Sequence, residues 1–215
     1  MTRVSLTSSE NTLVEGVDDN ATEMLSTVEH WSAQNSGSYN RAGLRAMRAL
    51  LSDRFSNLPG EITEVSLPDG QHVTAHGEVE NITYEPALKV TVRPDAPVQL
   101  VLTGHYDTVF PENFHFQQPV RIDDDTINGP GTADMKAGLM VMLTALETFE
   151  RSDNAANIGY TIIMSPDEEI GSPGSSAILE ELGKRSHVGM TYEPCLLYTS
   201  PSPRDATLSR MPSSA

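Results

Sequence analysis

Six side chains in this sequence are of types that do chemistry, at spacings that could bring them together. His105 and Asp107 are two positions apart, so both can point the same way from extended backbone. A histidine that holds a metal needs a neighbouring acceptor to fix its tautomer, and Asp107 is placed to be one. Asp134 lies within Gly129-Pro130-Gly131-Thr132-Ala133-Asp134-Met135-Lys136-Ala137-Gly138, where glycines let the backbone pass close to a bound group. Glu168 and Glu169 are adjacent, so one can face a metal while the other faces a substrate. Glu193 follows in Tyr192-Glu193-Pro194. Carboxylates gathered at one place repel one another unless cations compensate. Two divalent ions supply that compensation, and they also activate water and polarise a carbonyl. Taken singly, each piece has a plain structural reading: a local hydrogen bond, a solvated Glu pair, a tight turn. A phosphate site fits poorly, because the glycine loop lacks the third glycine of G-x-G-x-x-G and any G-K-[ST] ending.

The surrounding elements must deliver these groups to one place. Val98–Leu102 is short, apolar and β-branched, which predicts a buried strand running straight into Thr103-Gly104-His105-Tyr106-Asp107. Ile158–Met164 predicts a second buried strand, ending at Ser165-Pro166-Asp167-Glu168-Glu169, and His187–Thr191 a third, ending at Tyr192-Glu193-Pro194. A helix is expected from near Ala133, with Leu139, Met142, Leu143, Leu146 and Phe149 as its apolar stripe. Another is expected to be capped by Ser172, with Pro173 in its first position. Upstream, Ala21–Ala33 and Tyr39–Asn57 read as helices. The second has Leu44, Met47, Leu51 and Phe55 at helical spacing and is stopped by Pro59-Gly60. Glu61–Leu67, His72–Val79 and Ala87–Val92 read as strands, with a turn at Pro68-Asp69-Gly70. Residues 1–20 are polar and expected to be loose.

Alternation of strands and helices from residue 98 onward predicts an α/β fold. We expect a three-layer domain with a largely parallel mixed sheet flanked by helices. Ligand sites in such sheets gather at the carboxyl ends of strands. His105/Asp107, Glu168/Glu169 and Glu193 all fall at such ends, and Asp134 at a helix entry.

Composition narrows the function. Acidic residues outnumber basic ones by 30 to 14, a formal charge of −16, which argues against a nucleic-acid or anionic-membrane partner. The single cysteine, Cys195, allows neither an internal disulfide nor a cysteine-based zinc site, so His and carboxylate must hold any metal. No segment has signal-peptide character or approaches the ~18 apolar residues of a membrane span, and a soluble cytoplasmic protein is expected.

The order and spacing of these motifs resemble a known family. Gly104–Val109 (GHYDTV), Gly129–Gly138 (GPGTADMKAG), Asp167–Ser172 (DEEIGS) and Tyr192–Pro194 (YEP) look like the successive motifs of the M20 metallopeptidases. Intervals of 29 from His105 to Asp134, 34 from Asp134 to Glu168 and 24 from Glu169 to Glu193 match its glutamate carboxypeptidase branch. The resemblance implies a zinc-peptidase-like catalytic domain with two zinc ions (Zn2+), cobalt or manganese being compatible. It implies His105 and Glu193 as ligands of the first metal, Asp134 as the bridge between both, and Glu169 as a ligand of the second. It implies Glu168 as the general base and Asp107 as the residue behind His105. The implied substrate is a small peptide or an N-acyl amino acid.

Two departures matter. Complete members have a further histidine ligand and a smaller lid domain that carries dimer contacts, and neither has a counterpart here. His187 precedes Glu193 and reads as structural, as do His30, His72, His76 and His115. Residues 21–195 are therefore expected to be the amino-terminal part of a catalytic domain. Residues 196–215, which contain TSPSPRD, resemble translated sequencing adapter and are expected to be a non-native tail. The chain as it stands is expected to bind metal weakly and to be inactive, with the intact protein a homodimer through the lid. A non-catalytic metal-binding or interaction module on the same fold is the alternative. A two-metal phosphatase or nuclease fits the motif order less well, and the acidic balance disfavours a polyanionic substrate.

Overall fold

The structure, a computed structural model, describes residues 6–74, 76–124 and 126–194. Cys195 and the segment 196–215 lie outside the described residues. Helices α1 (Ser8–Glu15), α2 (Ala21–Ala33) and α3 (Arg41–Phe55) come first. Strands β1 (Glu61–Val65), β2 (Gly70–Val73), β3 (Val79–Ile82), β4 (Ala87–Val92) and β5 (Val98–His105) follow. Then come the short strands β6 (Val120–Arg121) and β7 (Ile127–Asn128), helix α4 (Ala137–Phe149), β8 (Ile158–Ser165), α5 (Ser176–Arg185) and β9 (Val188–Thr191).

Five strands form the main sheet in the order β1-β4-β8-β5-β9. The β8–β5–β9 portion is parallel, while β1 and β4 pair antiparallel to each other, and β4 antiparallel to β8. This is the mixed three-layer α/β arrangement expected, with its parallel part confined to the strands that carry the chemistry. Successive side chains on a strand face opposite ways. Leu88, Val90 and Val92 of β4, Leu102 of β5 and Tyr160, Ile162 and Met164 of β8 accordingly pack against one helical layer, α2, α3 and α4. Ala87, Val101 and Ile163 face the other side, where Ile178, Leu179 and Leu182 of α5 cover them. The stripe Leu44, Met47, Leu51 and Phe55 is buried along α3, as its spacing predicts. No helix among the described residues is long and apolar enough to cross a membrane.

The opening segment departs from the loose chain expected. It holds α1, whose start is a capping box: the Glu10 amide donates to Thr7 Oγ1 at 3.3 Å and the Thr7 amide to Glu10 Oε2 at 2.7 Å. The strand expected over His72–Val79 is instead a hairpin of β2 and β3. Its turn closes where the Thr74 amide donates to the Glu78 carbonyl at 2.8 Å, with Gly77 at φ +79. Left-handed backbone of that kind favours glycine and reverses the chain.

One polar cluster ties the sheet to α4. The Arg93 guanidinium donates to both carboxylate oxygens of Glu150 and to the Ile158 carbonyl, and the Tyr160 hydroxyl donates to Glu150 at 2.8 Å. Burial alone would raise the Glu150 carboxyl, but the bonds from Arg93 and Tyr160 outweigh it and hold the group below its ordinary range. A carboxyl lowered on folding stabilises the fold above its unfolded value of about 4.3, and that stabilisation fades as pH falls through the folded value. Arg93→Met is expected to cost about 1.5–3 kcal/mol in urea unfolding at pH 7. The gap between variant and wild type should shrink below about pH 4.3. A gap unchanged at pH 3 would show that the ion pair is not its source.

Candidate metal centre

In-register pairing brings the strand ends level. His105 lies opposite Ser165 on β8, and Thr103 lies opposite Thr191 on β9. Residues just past each end, Asp107, Glu168 and Glu193, therefore meet above the sheet. The His105 side chain is fully buried. Its Nε2 lies 3.0 Å from Asp134 Oδ1, 3.5 Å from Glu193 Oε1 and 3.8 Å from Glu168 Oε2. Its Nδ1 lies 3.1 Å from the Asp107 carbonyl and 3.2 Å from Asp107 Oδ1. The far side of the ring is thus fixed by Asp107, which leaves Nε2 to face the acids.

Asp107 does more than the spacing predicts. Its carboxylate also accepts from the Ser38 hydroxyl at 2.8 Å and from the amides of Glu168 and Glu169 at 3.2 and 3.1 Å. One buried carboxylate therefore orients the histidine and anchors the backbone of the Glu168-Glu169 pair. Asp167, which carried no role in the sequence reading, is the second such anchor. It accepts from the amides of Gly174 and Ser175 at 2.6 and 3.0 Å and from the Ser175 hydroxyl at 2.6 Å. Ser172 is not the helix cap expected: it sits at φ +55 beside Gly171, α5 begins at Ser176, and Asp167 satisfies the amides just before it. An acid directly after a buried strand is the signal that could have marked Asp167.

Asp134 occupies an irregular turn, Thr132–Lys136, ahead of the regular helix that starts at Ala137, later than the start near Ala133 expected. The end of α2 grips this turn on both sides. Upstream, the Ser32 hydroxyl lies 2.9 Å from the Pro130 carbonyl and from Thr132 Oγ1. Downstream, the buried Lys136 ammonium donates to the carbonyls of Trp31 and Gln34 at 3.0 and 2.9 Å. Those carbonyls are at the negative end of the α2 dipole, where the Trp31 carbonyl also accepts from the Gln34 amide at 3.1 Å. Gly138 allows a further approach: a Cβ there would lie 2.3 Å from the Tyr192 carbonyl, immediately before Glu193.

The electrostatics describe a place that lacks positive charge. Burial disfavours charge on His105, yet Asp107, Asp134 and Glu193 together overcome it and push the ring up to about 12. Burial, joined by repulsion from Glu193, Asp107 and Asp134, raises Glu168. Burial and the Asp134 charge push Glu169 up to about 7. Asp134 is lowered, chiefly by its bond to His105. His105, Asp134 and Glu193 offer ligand atoms within 4.8 Å of one another. An imidazole nitrogen with two carboxylate oxygens, ringed by further acids, fits a divalent metal of the zinc, cobalt or manganese kind. Glu169 is not part of that group. Nor is His187, whose Nδ1 accepts from the Gln99 amide at 3.0 Å, the structural role expected of it.

Comparison with known proteins agrees. Residues 101–206 match the peptidase family M20/M25/M40. Carboxypeptidase G2 of Pseudomonas sp. (strain RS-16) is 24% identical over 188 residues, 86% of this chain and 42% of that protein. Succinyl-diaminopimelate desuccinylase 2 of Shewanella loihica is 32% identical over 99 residues, 44% of this chain and 26% of that protein. In fold, the chain resembles human carnosine dipeptidase 1 with a TM-score of 0.65 at 18% identity, covering 84% of this chain and 39% of that one. The fold is that of a metallopeptidase-type catalytic domain. The similarity to the M20 family is carried by residues 101–206, and the chain spans about two fifths or less of the length of these curated relatives.

Lys136 gives a test of the grip on the Asp134 turn. Burial pushes its ammonium down to about 7, against about 10.4 in an unfolded chain. Between those values the unfolded state binds the extra proton, so stability rises with pH. With a chelator present, wild type is expected to gain stability over Lys136→Met between about pH 7 and pH 10. A difference independent of pH would show that the ammonium is not buried as described.

Proposed function

We propose that this chain carries the metal-binding part of a hydrolase that cleaves peptide or N-acyl amide bonds with a metal-activated water. The observation that supports it best is the fully buried His105 ring, with Asp134, Glu193 and Glu168 within 3.0 to 3.8 Å of Nε2. In this reading His105, Asp134 and Glu193 hold one metal, and Asp134 and Glu169 face a second. Zinc is the ion we favour. Bound divalent metal supplies a polarised carbonyl and a more acidic water.

The chain's own residues do the rest. Asp107 keeps the His105 ring oriented and its second nitrogen free for the metal. Glu168 takes a proton from the attacking water and hands it to the departing amine, a base that becomes an acid. Its raised proton affinity suits both halves of that exchange. The acyl donor is a small peptide or an N-acyl amino acid, which the hydrolase relatives make the natural substrates to try.

A second reading, a metal-binding module without turnover, draws on one observation. Among the described residues, the ligand group found has a single histidine, and the second position has only Asp134 and Glu169 to offer.

Calorimetry with zinc and assays on N-acyl amino acids and dipeptides separate the readings. One zinc is expected per chain, with Asp134→Asn weakening it at least tenfold. Two tight sites on this chain would contradict the assignment. In the full-length gene product, Glu168→Gln is expected to keep its zinc and lose about 10²-fold or more in rate. Equal rates in variant and wild type would remove Glu168 from the mechanism, and no turnover in either would favour the binding module.

A further inference from the structure

Beside Glu169 a cavity of about 420 Å3 opens between Gly37–Asn40 and Thr108–Glu112, with Ile170 on its third side. That volume is in the range of small-molecule sites. Tyr39, Val109, Pro111 and Ile170 give it apolar walls. Tyr39 and Val109 are 57% and 61% exposed, which leaves two large apolar side chains uncovered at the mouth of an otherwise acidic centre.

The walls are braced. Backbone bonds join the two segments, from the Ser38 amide to the Thr108 carbonyl at 3.1 Å and from the Thr108 amide to the Ser36 carbonyl at 2.9 Å. The Asn35 side-chain amide donates to the Phe110 carbonyl at 3.1 Å, and that of Gln117 to the Pro111 carbonyl at 2.9 Å. Phe110 packs on Phe114 and Phe116, with ring centres 5.8 and 5.1 Å apart. The Tyr39 ring rests against His72 of the β2–β3 hairpin at 5.2 Å. Ser38 joins the cavity to the metal centre through its bond to Asp107.

The only ionisable acids or bases on the lining, apart from the Tyr39 phenol, are the carboxylates of Glu112 and Glu169. A carboxylate on the ligand would be desolvated here beside the Glu112 carboxylate, with no Lys, Arg or His among the lining residues to offset it. An aliphatic or aromatic group would instead bury apolar surface against Tyr39, Val109 and Ile170.

Resting on the hydrolase reading above, we infer that this cavity is the subsite for an uncharged apolar group next to the scissile amide, an acyl chain or an aromatic side chain. It discriminates against a dicarboxylate.

The test uses zinc-loaded protein and three probes: N-benzoylglycine, N-acetylglycine and N-succinylglycine. Titrations followed by valine-methyl and tyrosine-ring NMR should shift Val109 and Tyr39 with N-benzoylglycine. Its affinity should be at least tenfold above that for N-succinylglycine, with the same order in kcat/KM for the full-length gene product. Val109→Arg puts a cation at the exposed mouth and should narrow or reverse the preference. Tyr39→Ala should lower N-benzoylglycine binding about tenfold and N-acetylglycine binding by a smaller factor. Equal or better handling of N-succinylglycine by wild type would overturn the inference. So would a preference that Val109→Arg leaves unmoved, or probe-induced shifts that bypass Val109 and Tyr39. Selective N-benzoylglycine binding without any hydrolysis would support the subsite and count against the hydrolase reading instead.

Discussion

Parallel pairing of β5 with β8 and β9 carries His105 to the height of Ser165 and, two residues past Thr191, to the height of Glu193. Everything else at the centre depends on that shared level. A slip of one residue would turn every side chain of the slipped strand to the opposite face. The apolar alternation of β8 fixes the register, because Tyr160, Ile162 and Met164 must face one helical layer and Ile163 the other. Core packing and the geometry of the acids around His105 are therefore set by the same constraint.

Two buried carboxylates translate that register into a site. Asp107 and Asp167 each spend their oxygens on backbone amides, one on Glu168 and Glu169, the other on Gly174 and Ser175. Between them they hold the turn that presents the Glu pair. The Asp134 turn has a different support, the last carbonyls and a serine of α2. The centre is thus assembled from three elements whose anchors are themselves polar and buried, an arrangement in which partial satisfaction is costly.

Much of this was legible in the sequence. Strands running into His105, ending before Asp167 and ending before Glu193 could be read from short apolar runs, and the long helices from their stripes. Three features were not legible, for physical reasons. Thr7 and Glu10 cap α1 reciprocally, a short-range signal hidden in a polar stretch without an apolar stripe. The β2–β3 hairpin reads as one strand because its alternation runs through the turn, and only the left-handed Gly77 reverses it. Ser172-Pro173 imitates a helix start. The true start lies beyond it because Asp167, distant from α5's first turn in sequence, supplies the acceptor. At the centre itself, the family resemblance implied His105, Asp134, Glu169 and Glu193 as ligands, and the fold brings all but Glu169 into one group. Residue types and spacing marked the acidic positions without assigning those roles. They did not show that Asp107 also holds the Glu pair, which needs the fold.

Gly138 contributes no side-chain atom to the centre, yet it sets how wide the centre is. With any Cβ only 2.3 Å from the Tyr192 carbonyl, the chain leaving β9 would have to back away from α4 and take Glu193 with it. The spacing of Glu193 from the other acids around His105 is therefore governed by a position that a search for donors never visits. A series of progressively larger residues at 138 would act as a mechanical spacer, a means of widening the gap between Glu193 and His105 without touching either side chain.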